Sequence, residues 1–451
     1  MLNTHSESAR LERAVPLHPP RARRLVVQKF GGSSVATLDR LRGVARRIAE
    51  THRQGRDVVV VVSAMGKTTE ELLQKARALS KSPSPREMDM LLTSGERISM
   101  SLLAMAVREE GVEAVSLTGS QSGILTNDVH TNARIIEVRP FRIEDELERG
   151  NVVIVAGFQG ASYRHEVTTL GRGGSDTTAV ALAAALNAEH CDIFSDVDGV
   201  YSADPRTVTD AVRIDRLCYE EMQELARQGA RVLNAQAVEF ARRHDIAIYA
   251  RSTFGADNHT KVSRADEAPH ERLRELDAHG VTGVTGRRDV LRVACDAGAD
   301  EETTREVLHA LDRCLVLSSG VEPKRNRFDV VVATENIADR AAFARRLEER
   351  FGAIGLTVER ELGSVSAVGL GVGERPAALL DALSALASCG LHVITSFTSR
   401  EALTCLVPHD EVDAGVQCLH ELFVERTADQ PSDQPSDQPS SPPPKPRELV
   451  A

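Results

Sequence analysis

Residues 29–35 read KFGGSSV, a combination of residue types suited to phosphate chemistry. The glycines Gly31 and Gly32 let backbone N–H groups approach phosphate oxygens, and Lys29 can neutralise charge on a transferring phosphoryl group. A helical pattern follows, and the dipole at a helix N-terminus favours an anion. The segment lacks the Gly-Lys-Ser/Thr ending of a Walker A loop. Taken alone, the glycine pair fits a tight turn equally well.

A second glycine-containing loop, residues 168–178 (TTLGRGGSDTT), precedes an alanine-rich helical stretch. Arg172 can bind a carboxylate through paired hydrogen bonds, and the amides of Gly173, Gly174 and Ser175 can hold further oxygens. Asp176 is suited to orienting a lysine. The alternative is a plain helix-capping loop, because Gly, Ser and Asp favour helix N-termini anyway.

A third polar segment, residues 194–206 (FSDVDGVYSADPR), follows an apolar run. Ligands of open α/β sheets bind beyond the carboxyl ends of the strands. Ser195, Asp196, Tyr201 and Arg206 are therefore candidates for contacting a nucleotide. By itself the segment could also be a surface loop.

The elements that must position these loops follow an alternating order. DVVVVVSAM at 57–65 is a continuous β-branched run, typical of a strand buried on both faces of a parallel sheet. EAVSLTG, NVVIVAGF, CDIFSDV and IAIYARS predict further strands, with helical patterns between them. Strands that alternate with helices indicate βαβ units. We expect a three-layer αβα sandwich with a mainly parallel central sheet.

Composition excludes several classes of protein. The chain has 451 residues and a formal net charge of −11, which argues against a general nucleic-acid binder. Seven cysteines occur without metal-ligand or CxxC spacing, which is typical of reduced thiols in the cytoplasm. We find no signal-peptide pattern and no run of about 18 apolar residues, so we expect no membrane span.

Polar and low-complexity stretches suggest the domain limits. We expect a disordered tail at 1–24, a catalytic domain at 25–260, a linker at 261–281 and two small α+β units in tandem at 282–425. Residues 426–451 repeat a Pro-Ser-Asp-Gln unit without an apolar face, which predicts a disordered tail.

Five motifs in order resemble those of the aspartate kinases, members of the amino-acid kinase fold. Besides the three loops above, they are SAMGKTT at 63–69 and TSGE at 93–96. The stretch from about 363 to 424 resembles an ACT domain, the ligand-binding module that follows the kinase in that family, and 282–334 resembles a weaker copy. The resemblance implies transfer of the ATP γ-phosphate to the β-carboxylate of L-aspartate. That step leads toward lysine, threonine and methionine.

The same resemblance implies a role for each site residue. Lys29 and Asp176 would be catalytic, with Asp176 orienting Lys29. The aspartate-binding residues would be Thr69, Glu96, Phe158, Arg172, Gly173, Gly174 and Ser175. The ATP-binding residues would be Lys29, Phe30, Gly31, Gly32, Ser33, Ser195, Asp196, Tyr201, Arg206, Arg231 and Val232. A magnesium ion would accompany ATP without a protein metal cluster, since it usually keeps waters and takes few protein ligands. Lysine, threonine or both would be candidate effectors, and the ACT-like units would join subunits into a homodimer or larger homo-oligomer. The alternative for these units is a purely structural role in dimerisation.

The chain departs from the family pattern at three places, of which the mildest is Ser33 for the usual threonine, since the hydroxyl is retained. Where the family reads Ala-Lys-Val-Leu-His-Pro, residues 230–235 read ARVLNA, so that Arg231 and Asn234 replace a lysine and a histidine. Residues 296–300 replace the Asp-Lys-Pro-Gly turn that begins the ligand-binding helix in many members. Two alternatives remain open on these residues: a kinase of the same fold acting on glutamate, acetylglutamate or a nucleotide, and a catalytically weak amino-acid-binding subunit.

Overall fold

The computed structural model describes residues 24–255, 258–265, 280–295, 300–311, 314–335, 337 and 339–425. The predicted tails at 1–24 and 426–451 therefore lie outside the described residues, except for Arg24. So does most of the predicted linker.

The N-terminal domain, residues 24–265, is built on an eight-stranded sheet in the order β12-β14-β13-β9-β1-β2-β6-β3. Every neighbouring pair is parallel except β13 and β14. The strands of this sheet are β1 Leu25–Phe30, β2 Asp57–Val62, β3 Ala114–Leu117, β6 Val152–Ala156, β9 His190–Ser195, β12 Arg216–Cys218, β13 Ile248–Ser252 and β14 His259–Ser263. The other strands are β4 Ile124–Thr126, β5 Ile135–Val138, β7 Gln159–Ser162 and β8 Val167–Thr169, which form a second sheet, and β10 Val200–Tyr201 and β11 Arg213–Ile214, which pair as a hairpin.

Helices cover both faces of the main sheet, because its central strands are apolar on both sides. In β2, Val58 and Val60 face one core with Leu41 and Leu103, whereas Val59 faces the opposite core. This alternation is the period-two pattern of a strand. The helices are α1 Leu38–Arg53, α2 Thr68–Leu79, α3 Pro85–Glu109, α4 Phe141–Glu148, α5 Gly174–Ala185, α6 Tyr219–Gln228 and α7 Ala235–His244. The predicted three-layer αβα sandwich is confirmed.

Helix α3 is long and apolar enough to cross a membrane by length and composition. Half of its most apolar window is nevertheless buried inside the protein, where Leu103 and Val107 pack on the sheet. It also carries the buried carboxylates Asp89 and Glu96. These features are typical of a core helix.

Strand β14 corrects the predicted linker. We predicted that the linker begins at 261, but Lys261 and Val262 pair with both β12 and β13 in the main sheet, and Ser263 pairs with β12. The polar composition of this segment hides a strand, because β14 lies near the sheet edge and Val262 is its only buried apolar residue.

The C-terminal domain, residues 280–425, has a six-stranded antiparallel sheet in the order β16-β17-β15-β18-β20-β19. Its elements are β15 Gly283–Cys295, α8 Glu301–Ala310, β16 Leu315–Glu322, β17 Arg327–Ala333, α9 Arg340–Phe351, β18 Leu356–Val368, α10 Pro376–Ser388, β19 Thr395–Thr398, β20 Ala402–Pro408 and α11 Val412–His420.

Two α+β units share this sheet, and they interlock where we predicted simple tandem units. Strands β15 and β18 each run through both units: Val284 and Val365 belong to one core, whereas Val293 and Leu356 belong to the other. The first unit therefore interrupts the second. Of the segment 296–300, which replaces the family's Asp-Lys-Pro-Gly turn, residues 296–299 lie outside the described residues. Asp300 caps α8 by accepting from the Thr303 amide at 2.8 Å.

Candidate active site

The candidate site lies at the carboxyl ends of the four adjacent parallel strands β9, β1, β2 and β6. Strand β1 ends at Phe30, whose carbonyl accepts from the amide of Ser63 after β2, and β9 ends beside it. Parallel strands bring their carboxyl ends to one sheet edge, where open α/β sheets bind ligands. The loops that carry Lys29 and Asp176 meet there, and the third polar segment begins there at the end of β9.

Lys29 and Asp176 form the centre of this site. The Lys29 Nζ lies 2.7 Å from Asp176 Oδ1, and both side chains are 12% exposed. Lys29 belongs to β1, whereas Asp176 belongs to the first turn of α5. A carboxylate at this distance holds the ammonium group in one position while leaving part of it accessible.

Gly31 and Gly32 form a close-packed loop next to this pair. A Cβ on Gly32 would lie 2.8 Å from the Ala64 carbonyl oxygen, so the chain requires glycine there. A Cβ on Gly31 would lie 3.5 Å from the Lys29 Nζ. We predicted that this loop opens the long helix, but it opens a short 3-10 turn, Gly32–Val35, and α1 begins only at Leu38. The dipole of α1 is therefore not available to a phosphate at this loop.

The loop at 171–176 leads directly into the N-terminus of a long helix, which the Gly31–Gly32 loop does not. Gly173, with φ +69°, directly precedes α5, and Gly174 and Ser175 form its first turn. A Cβ on Gly174 would lie 3.0 Å from the Phe158 ring, and a Cβ on Gly157 would lie 2.8 Å from the Ser175 hydroxyl. The helix N-terminus therefore faces the end of β6, where unpaired amides and the dipole favour an anion.

Glu96 is a buried carboxylate beside the glycine pair. It is 3% exposed, and its Oε1 accepts from the Ala64 amide at 3.1 Å. Among the described residues its Oε2 has no hydrogen-bond partner. Burial raises the pKa of Glu96 to about 7, although the amide hydrogen bonds oppose the shift. A buried oxygen without a partner suits a cationic ligand.

The remaining candidates differ in how closely they approach this centre. Thr69, in the first turn of α2, and Phe158 are half-buried, and Arg172 is exposed. Phe158 has φ +68°, a conformation that is uncommon for a residue with a side chain. Phe30, fully buried, stacks on Phe194 with centroids 4.8 Å apart, so it supports the sheet edge. Ser33 is half-buried, and its carbonyl accepts from Arg40.

The predicted nucleotide-contacting residues form a second group beyond β9. Tyr201 donates to Asp198 at 2.8 Å, and Arg206 donates twice to Asp204. The guanidinium of Arg206 is the main cause that lowers the pKa of Asp204, and Arg231 adds to it. Ser195 and Val232 are half-buried, and Asp196 is exposed. The described contacts pair Arg206 with Asp204, but they do not join this pair to Lys29.

Asn234 is a site residue that sequence reasoning treated only as a departure. Its Oδ1 caps α7 by accepting from Gln236 and Ala237, and its Nδ2 donates to the Arg172 carbonyl at 3.1 Å. It therefore links α7 to the predicted carboxylate-binding loop. The sequence signal was its cap position alone.

We expect two Asn234 variants to separate these roles. Asn234→Ala loses the cap and the link, so it should lower stability by about 1 kcal/mol and raise KM for the acidic substrate several-fold. Asn234→Asp keeps an acceptor for the cap but loses the amide donor. It should raise that KM while leaving the melting temperature near the wild-type value. Equal KM values for Asn234→Asp and the wild type would contradict the link.

Asp89 is a second residue that the sequence did not reveal. It is fully buried on α3 and accepts from the Thr169 hydroxyl at 2.6 Å, the Thr131 amide at 3.0 Å and His130 at 2.7 Å. It thereby ties β8 to the 127–134 segment. Strand β8 lies immediately before the loop that carries Arg172. Its spacing of seven residues from Glu96 on one helix places both carboxylates on the same buried face.

Most of the chain is similar to known amino acid kinases. Residues 24–252 match the model of the amino acid kinase family. An aspartokinase of Mycolicibacterium smegmatis is 43% identical over 409 residues, which cover 88% of this chain and 96% of that protein. An aspartokinase of Corynebacterium glutamicum is 41% identical over 403 residues, with the same shares covered.

A solved structure shares the whole architecture. The crystal structure of E. coli aspartokinase III with aspartate and ADP has a TM-score of 0.75 and 25% identity, over 88% of this chain and 99% of that one. The match includes both the kinase domain and the C-terminal domain. Given the family match, the relatives above 40% identity and this shared architecture, the chain belongs to the aspartokinase family of amino acid kinases.

Proposed function

We propose that the protein transfers the γ-phosphate of ATP to the β-carboxylate of L-aspartate, which gives ADP and 4-phospho-L-aspartate. The observation that carries this proposal is the Lys29–Asp176 pair, held at 2.7 Å between two glycine loops at one sheet edge. Phosphoryl transfer needs positioning and charge neutralisation more than covalent chemistry. The acceptor carboxylate is ionised at neutral pH, so the reaction requires no general base.

In this proposal Lys29 stabilises the charge that develops on the transferring phosphoryl group. The amides of Gly31, Gly32 and Ser33 contact the phosphates, while Asp176 holds the lysine in line. Tyr201, Arg206 and Arg231, with Ser195 and Asp196, contact the rest of the nucleotide. The Arg206 guanidinium is exposed and pairs with Asp204, so it can exchange that carboxylate for phosphate oxygens.

The protein binds the ammonium group and the carboxylates of aspartate through groups of opposite charge. Glu96 takes the α-ammonium group, for which its unpartnered Oε2 is suited. Arg172 and the N-terminus of α5 at Gly173, Gly174 and Ser175 take the carboxylates. Phe158 and Thr69 complete the pocket wall. The resulting pocket selects a short amino acid with a second carboxylate.

We propose that a magnesium ion enters with the nucleotide. Across the described ranges no three His, Cys, Asp or Glu side chains converge as a metal site. This fits an ion that keeps its waters and binds mainly to phosphate oxygens. Asp196, exposed directly after β9, is a candidate to hold it or one of its waters. When bound, the ion neutralises phosphate charge.

A substrate panel tests the function. ADP release should depend on L-aspartate and on Mg²⁺, with glutamate, acetylglutamate and nucleoside monophosphates inactive as acceptors. EDTA should abolish turnover, and excess Mg²⁺ should restore it. Turnover that prefers another acceptor would overturn the substrate assignment, whereas aspartate binding without ADP release would favour a regulatory subunit.

We further propose that lysine or threonine binds the C-terminal units and shifts aspartate binding, and that these units join subunits. The support is physical: Thr282 donates to Glu221 at 2.5 Å, and Ser366 donates to Gln228 at 3.0 Å, so buried polar contacts couple the C-terminal sheet to α6. Helix α6 leads directly to Arg231.

We expect lysine, threonine or both together to raise the half-saturating aspartate concentration about fivefold or more, a typical allosteric coupling. The measurement is aspartate saturation at fixed ATP, with leucine as the control amino acid. If no amino acid shifts the curve, only a structural role is left for these units.

Seven free cysteines, five of them buried, support the cytoplasm as the compartment.

A further inference from the structure

The loop that joins β10 to β11, residues 202–212, belongs to the kinase domain but is anchored in the C-terminal domain. Ala203 and Val208 are buried in the same core as Val365 and Phe423. The Ser202 carbonyl accepts from the Val284 amide at 2.6 Å, and the Thr207 carbonyl accepts from Gln417 at 2.8 Å. We call this segment the 202–212 loop. It carries Arg206 and follows Tyr201.

His420 makes the most deeply buried of these contacts. It ends α11 and is fully buried, and its Nε2 lies 2.9 Å from the Ser202 hydroxyl. Its Nδ1 lies 2.9 Å from Glu425. The Ser202 hydroxyl already accepts from the Val212 amide at 2.9 Å, so its hydrogen is available to His420 Nε2. With Nδ1–H donating to Glu425, every polar group in the chain of contacts has a partner.

The position of Ser202 makes this contact relevant to catalysis. It immediately follows Tyr201. Its backbone N–H also donates a hydrogen bond to the Val212 carbonyl at 2.8 Å, which closes the base of the 202–212 loop. The loop bears the Asp204–Arg206 pair four residues or fewer from this anchor. A shift at Ser202 therefore moves both nucleotide-contacting side chains.

We propose that His420 is a positioning residue for the nucleotide site: from the C-terminal domain it holds Ser202, and through Ser202 it sets Tyr201 and Arg206. The inference rests on the proposed role of those two residues in binding ATP. The C-terminal domain then does more than carry an effector, because it completes the support of the nucleotide site. The buried hydrogen bond of His420 is the contact between α11 and the residue next to Tyr201.

The test compares His420→Leu, His420→Gln and Ser202→Ala in the full-length chain. His420→Leu and Ser202→Ala should each raise KM for ATP and Kd for ADP about three- to tenfold, the range expected from one hydrogen bond. KM for aspartate should change less than twofold. His420→Gln, which keeps a nitrogen able to bond Ser202, should recover most of the loss. The double variant should be no worse than either single variant.

Thr334→Val is the matched control. Thr334 directly follows β17, is fully buried and donates to the Asp289 carbonyl at 3.0 Å. It should lower the melting temperature without changing either KM. If His420→Leu and Ser202→Ala also lower only the melting temperature, the positioning role is wrong. Should His420→Leu fail to fold, Ser202→Ala decides the question.

Titration calorimetry with ADP separates this inference from the proposed function. It needs no acceptor, so absence of aspartate-dependent turnover in the wild type would overturn the function and leave the ADP comparison valid. Wild-type binding of ADP with unchanged binding in His420→Leu and Ser202→Ala would overturn the inference alone. No ADP binding by the wild type would overturn both.

Discussion

Lys29→Ala is expected to lower kcat about a thousandfold or more while KM for ATP changes little. Lys29 Nζ is the cation fixed at the centre of the site, and Asp176 sets its position. Groups that stabilise charge on a transferring phosphoryl group contribute about 10³-fold or more to phosphoryl-transfer rates. The measurement is steady-state ADP release at saturating ATP and aspartate.

Lys67→Ala is the matched control for Lys29→Ala. Lys67 is an exposed lysine that precedes α2, without a hydrogen bond from its side chain to the helix. It should retain wild-type turnover. A Lys29→Ala enzyme with turnover within tenfold of the wild type would contradict the catalytic assignment of Lys29.

Asp176→Asn tests the other member of the pair. It keeps the shape of the side chain but removes the charge that holds Lys29, so we expect a smaller loss in kcat than for Lys29→Ala. The two effects should be strongly non-additive, since both variants disrupt one ion pair. Additive losses would indicate that Asp176 acts independently of Lys29.

Glu96→Gln is expected to raise KM for aspartate about a hundredfold with a small change in KM for ATP. The substitution keeps the size of the side chain but removes the charge that binds the α-ammonium group. Loss of one partner from a buried charge pair costs about 2–5 kcal/mol, and each 1.4 kcal/mol is tenfold in affinity. Glu109→Gln, on the exposed end of the same helix, is the control and should match the wild type.

The pKa of Glu96 predicts how aspartate affinity depends on pH. Since its pKa is about 7 in the free protein, the carboxylate becomes protonated as the pH falls through 7. Aspartate needs the ionised form, so its KM should rise about tenfold per unit below pH 7. Glu96→Gln should remove this dependence. A wild-type KM that is flat between pH 5.5 and 8 would contradict ionisation of Glu96 as the cause.

The same shift has the opposite consequence for stability. Burial raises the pKa of Glu96 above its unfolded value of 4.5, so the folded state favours the neutral form. Stability from this group is complete below pH 4.5 and is lost as the pH rises through 7. At pH 8 the ligand-free Glu96→Gln variant should therefore melt above the wild type. Binding of aspartate supplies a cationic partner for Glu96 in the wild type. It should therefore narrow the difference in melting temperature between Glu96→Gln and the wild type.

Local patterns in the sequence were enough to predict the kinase fold. The valine run at 57–65, the apolar runs ending at Phe30 and Phe194 and the alanine-rich stretch after Asp176 correspond to β2, β1, β9 and α5. Continuous β-branched runs are buried on both faces wherever they fold, so their place in a parallel sheet follows from composition. Motif order predicted the family, and the matches confirm it.

Other parts of the fold could not be predicted from local patterns. Strand β14 has a polar sequence and is a strand only because β12 and β13 lie on either side of it. The interlocked units of the C-terminal domain depend on β15 and β18, whose two halves enter different cores. Linear order cannot show that one unit interrupts another.

The residue types and the order of the motifs were thus determined by the sequence itself. They are a lysine and two glycines at the end of one strand, an arginine and two glycines before a helix, and a glutamate on a core helix. Tertiary structure alone decided which of these groups touch. It brought Asp176 to Lys29, left Glu96 Oε2 without a partner, bound Asn234 to the Arg172 loop and placed His420 beside Ser202, 218 positions earlier in the chain. The physical reason is that hydrogen bonds and ion pairs depend on distances of about 3 Å in space, which sequence spacing sets only within one helix or strand.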